Sequence, residues 1–140
     1  MDGSVVIFII AVLIVAVLIF IAMSATKKRG TVFDTEDYQI DFLRIENTLT
    51  RDNELSYNAV IVNADKLLDK ALCEMGLQGK NMGERLKKLG NNRLSQTNAV
   101  WYAHKMRNQI AHEPNFSVDY NQAKRALVVY KNALKDLGAI

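Results

Sequence analysis

Cysteine occurs once in this chain, proline once, tryptophan once and histidine twice. With Cys73 alone there is no internal disulfide and no Cys-rich zinc site, which fits a reducing compartment. Pro114 is the only residue barred from a helix interior, so long stretches are free to be helical. No run of alternating apolar residues argues for a sheet, and there is no internal repeat. His104 and His112 are eight positions apart, and neither an HExxH pair nor an Asp-rich loop accompanies them, so no metal-ligand spacing is present. A Gly-rich phosphate loop and a locally supported Ser–His–Asp arrangement are also missing. No metal and no cofactor is expected.

Charge is missing altogether from residues 5–23, VVIFIIAVLIVAVLIFIAM. A bilayer core needs about 20 apolar residues in a helix, and in hydrocarbon a helix pairs every backbone amide within the segment. The rival is a cleaved signal sequence, for which Ala22-Met23-Ser24 would be a passable site. A signal sequence wants a positive leader and an apolar stretch of roughly 7–15 residues, whereas only Asp2 precedes this longer one. The expectation is an uncleaved transmembrane helix anchored in a lipid bilayer. Lys27, Lys28 and Arg29 follow it directly, so residues 1–4 should lie outside and the remainder in the cytoplasm. Removing that triplet leaves 15 bases against 14 acids in the rest of the soluble part. The sequence pI near 9.0 therefore reflects the membrane flank and does not announce a nucleic-acid binder.

After a basic linker over 24–34, residues 35–140 are enough for one domain. Five helices are expected there. The first begins near Thr35, with Glu36 and Asp37 in its first turn, and carries Tyr38, Phe42, Ile45 and Leu49 at helical spacing. The second runs over about 53–75 with the stripe Tyr57, Ile61, Ala64, Leu68, Leu72 and Met75, and stops at Gly76. Cys73 within it reads as a buried small hydrophobe. The third, short helix opens at Asn81 with a capping-box-like Glu84 and ends at Gly90. The fourth spans 97–112 and is ended by Pro114. The fifth is expected to start with Ser117 as N-cap and to close at Gly138. Burying five amphipathic stripes together gives an all-α antiparallel bundle of four main helices plus the short one.

On the fourth helix Ala99, Ala103, Met106 and Ile110 share one face at 100° per residue. Trp101, His104, Asn108 and His112 lie opposite, with Arg107 on the flank. Because Trp favours burial, that second face is expected to meet a partner. The spacing Arg107-Asn108-x-x-x-His112 resembles the HEPN family of all-helical domains, in which an Arg is followed after four to six residues by His, with a polar residue favoured after the Arg. The resemblance covers roughly residues 35–138 and includes the motif's place late in a helical bundle.

The resemblance implies a metal-independent endoribonuclease acting as a homodimer through the fourth helix, with Arg107, Asn108 and His112 catalytic. His112 would move the proton, Arg107 would hold phosphate, and Asn108 would orient His112 or bind the phosphate. Trp101, His104 and Lys105 are auxiliary or interface candidates, and Lys80, Arg85, Lys87, Lys88 and Arg93 could follow an RNA backbone. Bland readings stand beside these. His112 suits the helix C-terminal dipole, Asn108 suits a solvated position, Trp101 suits packing, and Lys87 and Lys88 suit a wet face. The alternative function is a non-catalytic HEPN module binding a nucleotide, RNA or protein partner at the membrane. A toxin or defence role, with an antitoxin or nucleotidyltransferase partner, would fit the catalytic reading.

Overall fold

A computed structural model describes residues 3–25 and 31–140, without the side chains of 22–25. Asp2, Lys27, Lys28 and Arg29, on which the topology expectation rests, lie outside the described residues. Among those described the chain is all-helical, with no strand and six helices. It divides into two units, Met1–Gly30 and Thr31–Ile140. The first contains α1, Gly3–Ala25, whose 23 residues give a length of about 35 Å at 1.5 Å each. It is apolar and long enough to cross a membrane, a property that a signal sequence shares.

The second unit holds α2 (Thr35–Thr48), α3 (Glu54–Glu74), α4 (Met82–Leu89), α5 (Thr97–His112) and α6 (Tyr120–Leu137). Short polar side chains start most of them. Asp34 accepts the Asp37 amide, Asn53 that of Leu55 and Asn81 that of Glu84. Two details differ from expectation. Glu84 does not complete a capping box with Asn81, because its carboxylate takes the Lys80 N–H at 2.8 Å instead. The cap of α6 is Asp119, not Ser117: Asp119 accepts the Gln122 amide while the Gln122 side chain accepts the Asp119 amide. Val118 is buried in the extended segment before it, which postpones the helix start. Gly76 and Gly138 end α3 and α6 at φ of 76° and 77°, where a side chain would be strained.

The bundle is built around α3, which packs against α2, α4, α5 and α6. Its buried residues fall in adjacent pairs, Ser56/Tyr57, Val60/Ile61, Ala64/Asp65, Leu67/Leu68 and Ala71/Leu72. Pairs recurring every three or four residues make a double-width stripe, as a helix with neighbours on several sides requires. Tyr38 and Phe42 of α2, Val100, Ala103 and Met106 of α5 and the Tyr130/Leu134 face of α6 fill the core around it. Cys73 corrects the sequence reading. It is exposed, because it follows the Ala71/Leu72 pair by a further rotation that carries it off the stripe.

Candidate functional site

One member of the α3 stripe is charged. Asp65 is 4% exposed, and at that depth a carboxylate needs partners. Its Oδ1 lies 2.8 Å from His104 Nδ1 on α5 and accepts the Tyr130 hydroxyl of α6 at 2.9 Å. Its Oδ2 lies 3.5 Å from Arg107 Nε, close enough for an ion pair but too long for a hydrogen bond. Three helices thus meet on one carboxyl group. Burial first, then the Asp65 charge and hydrogen bond, push the Tyr130 hydroxyl well above its ordinary pKa, with Arg107 opposing in part. Tyr130 therefore stays a donor.

The donors and acceptors on α5 form a directed chain. Arg107 Nη1 donates to Asn108 Oδ1 at 3.1 Å. That leaves the Asn108 amide nitrogen facing His104 Nε2 at 3.3 Å. An amide nitrogen only donates, so Nε2 accepts and the imidazole proton sits on Nδ1, pointing at Asp65. His104 is correspondingly buried at 9% exposure. The face of α5 expected to await a partner is covered within the chain only in part, since Asn108 is half-buried and His112 exposed. His104 packs against α3, and Trp101 is half-buried, edge-on to the His104 ring at a centroid distance of 6.2 Å. A Cβ placed at Gly83 of α4 would lie 3.6 Å from both His104 Nε2 and Trp101, ordinary van der Waals contact, so α4 passes beside this pair with room for a methyl group.

Above this network opens a cleft of about 920 Å³. Arg107, Asn108 and His112 all line it, the first two half-buried and His112 exposed at the end of α5. Trp101, His104 and Lys105 line it too, as do Lys80 and Lys87 from the basic cluster. Lys88 and Arg93 are exposed but do not line it. Arg85, expected on an RNA backbone, is held in an ion pair, its Nη1 2.9 Å from Asp69 Oδ1 with 15% of its side chain exposed. Sequence reasoning missed Asp65, Lys66, Asp69 and the Tyr130 hydroxyl. Asp65 carried a readable signal, since it stands at apolar spacing, four after Ile61 and three before Leu68. Lys66 and Asp69 carried none, being ordinary polar residues of an amphipathic helix.

Five basic side chains, Lys66, Lys80, Lys87, Lys105 and Arg107, line the cleft against the three carboxylates Asp65, Asp69 and Glu84. Among the described residues no three or more His, Cys, Asp or Glu side chains gather as a metal-binding group. Such a cleft can hold an anion against a fixed guanidinium beside a solvent-accessible imidazole. The protein is thus an all-helical domain with a polar, cation-rich cleft, in a chain that also carries an apolar N-terminal helix. No protein-family model, no curated protein and no solved structure matches the chain.

Proposed function

We propose that this chain is a HEPN-type endoribonuclease tethered to a membrane by α1, its soluble unit an antiparallel HEPN-like bundle that cleaves RNA without metal. The observation that carries the reading is that Arg107, Asn108 and His112 open onto one cleft together with Lys66, Lys80, Lys87 and Lys105. In this reaction the RNA 2′-oxygen attacks the adjacent phosphorus, and the bond from phosphorus to the 5′-oxygen breaks. His112 takes the 2′-hydroxyl proton, and the leaving 5′-oxygen gains a proton from water or from a second imidazole. Arg107 neutralises the charge that builds on the phosphorane oxygens. A homodimer through α5 would bring two such sites together. The exposed ridge of α5, Tyr102, Lys105 and His112, is the surface available for it.

The same reading puts the N-terminus outside and the soluble unit in the cytoplasm, from the three bases after the span. Reporter fusions at Ile140 should be active only in the cytoplasm; activity only on the far side would overturn both the orientation and a cytoplasmic RNase. One observation favours a second reading, a non-catalytic module that binds a nucleotide, RNA or protein partner. Asp65, Asp69 and Glu84 line the cleft and would weaken its hold on a polyanion.

The deciding experiment is cleavage of single-stranded RNAs by the full-length chain in detergent micelles with excess EDTA. The expected products carry 2′,3′-cyclic phosphate ends. Arg107→Ala and His112→Ala should each lower the rate on the order of a hundredfold, with unchanged circular dichroism. If the wild type cuts nothing across a broad panel, or either variant cuts equally well, the catalytic reading gives way to the binding module.

A further inference from the structure

We propose that Asp65 and Tyr130 are positioning residues for this cleft. They hold His104 with its proton on Nδ1, His104 thereby fixes the Asn108 amide, and Asn108 aims Arg107. The effect on rate rests on the RNA-cleaving reading above; the effect on His104 does not.

The argument is one of donor and acceptor matching. An ionised carboxylate only accepts, so an imidazole presenting a bare Nδ1 to Asp65 Oδ1 would set a lone pair against it at 2.8 Å. Moving the proton to Nε2 would also set a donor against the Asn108 amide nitrogen at 3.3 Å. Turning that amide over would relieve the second conflict but place its NH₂ against Arg107 Nη1 at 3.1 Å, again donor against donor. A single assignment satisfies all four side chains, and Asp65 dictates it from the buried end.

The consequence falls on Arg107. Its Nη1 is tied to Asn108 and its Nε faces Asp65 Oδ2. What remains is the second Nη1 proton and both Nη2 protons, three N–H donors, of which one from each nitrogen can form an end-on fork. A guanidinium with 29% of its side chain exposed would otherwise sample several rotamers. Holding it in one removes an ordering cost from the step in which phosphate charge develops. Tyr130, fully buried on α6, contributes by fixing Asp65 itself. None of these three helices could drift without breaking a link in the chain.

The chain has two histidines, so ¹⁵N-histidine spectra of the full-length protein in micelles contain two ring systems, and His112→Gln assigns them. At neutral pH His104 should show a pyrrole-type Nδ1 and a pyridine-type Nε2. Asp65→Asn can donate as well as accept, so that preference should be lost or reversed. Tyr130→Phe, which deletes one hydroxyl, should shift it the same way by less. In RNA cleavage, Asp65→Asn should lower kcat about ten- to hundredfold while KM stays within about twofold. A wild-type His104 protonated on Nε2, or a tautomer unmoved in both variants, overturns the proposal. So does an Asp65→Asn protein whose tautomer has changed but whose kcat has not. A wild type that cuts no RNA defeats the catalytic reading instead, and the spectra alone then decide whether the relay exists.

Discussion

Removing the Asp65 carboxylate altogether is the most direct probe of the three-helix junction. In Asp65→Ala the His104 Nδ1 proton and the Tyr130 hydroxyl lose their shared acceptor, and Arg107 Nε loses the carboxylate 3.5 Å away. Both donors are buried, but Asp65 and His104 line the cleft, so water entering from it offsets only part of the loss. Each orphaned buried donor costs about 1–3 kcal/mol, and breaking a buried charged pair about 3–5 kcal/mol. Part of this is returned, because the carboxylate no longer has to be desolvated. The expected net loss is roughly 3–5 kcal/mol, a large share of the roughly 5–15 kcal/mol typical of a domain. Among the described residues the core runs from Phe33 to Ala139, within the second unit, so residues 31–140 can be used for urea unfolding followed by far-UV circular dichroism. Coupling gives the sharper readout. Tyr130→Phe should cost about 1 kcal/mol in the wild-type background. In the Asp65→Ala background it should cost little or become favourable, since the hydroxyl there has no partner, giving an interaction energy of about 1 kcal/mol or more. A loss below about 1 kcal/mol for Asp65→Ala, with additive behaviour against Tyr130→Phe, would refute the junction as described.

Three further outcomes follow from the geometry. Tyr130 has its pKa raised well above 10.0, chiefly by burial, and Tyr38 is raised for the same leading reason. The stability held by the neutral phenols is full below the unfolded value near pH 10 and is lost as pH rises beyond it. Urea midpoints should therefore fall above about pH 10, and Tyr130→Phe should reduce the slope by up to about 1.4 kcal/mol per pH unit; an unchanged slope would count against its burial. Gly83→Ala adds a Cβ that meets Asn81 Oδ1 at 3.4 Å and His104 Nε2 at 3.6 Å, ordinary contacts. It should stabilise α4 by about 0.4–1 kcal/mol in the same unfolding assay, and a net destabilisation would mean that α4 sits closer to α5 than described. If α5 pairs two copies, its contact is the exposed ridge at Tyr102, which is 65% exposed, and not the half-buried Trp101. Light scattering should then show a dimer that Tyr102→Ala weakens, and a strictly monomeric chain at high concentration would end the dimer proposal.

Helix positions were legible because each soluble helix carries an apolar stripe bounded by a chemical stop, such as Gly76 after α3 or Pro114 after α5. What the stripe could not convey is how many sides of a helix are covered. Projecting α5 by its apolar residues alone finds one buried face, Ala99 to Ile110. In the fold α5 packs against both α3 and α6, so it has a second buried side, filled by His104 and the edge of Trp101. Polar residues mark that side, so hydrophobic periodicity misassigns it as surface. The misassignment is informative in itself. A histidine tolerates 9% exposure only with partners, and those partners stand 39 positions away on Asp65 and, through it, 65 positions further on Tyr130. No local rule reaches that far, yet one residue of the three broke a local rule visibly: Asp65 occupies an apolar position between Ile61 and Leu68. A carboxylate at a core position demands donors from facing helices, of which Tyr130 is one, and for a histidine donor the chain offers two candidates. His104 lies near the middle of α5 and His112 at its exposed end. The violated stripe on α3 was therefore the one place where the sequence alone could have paired Asp65 with His104.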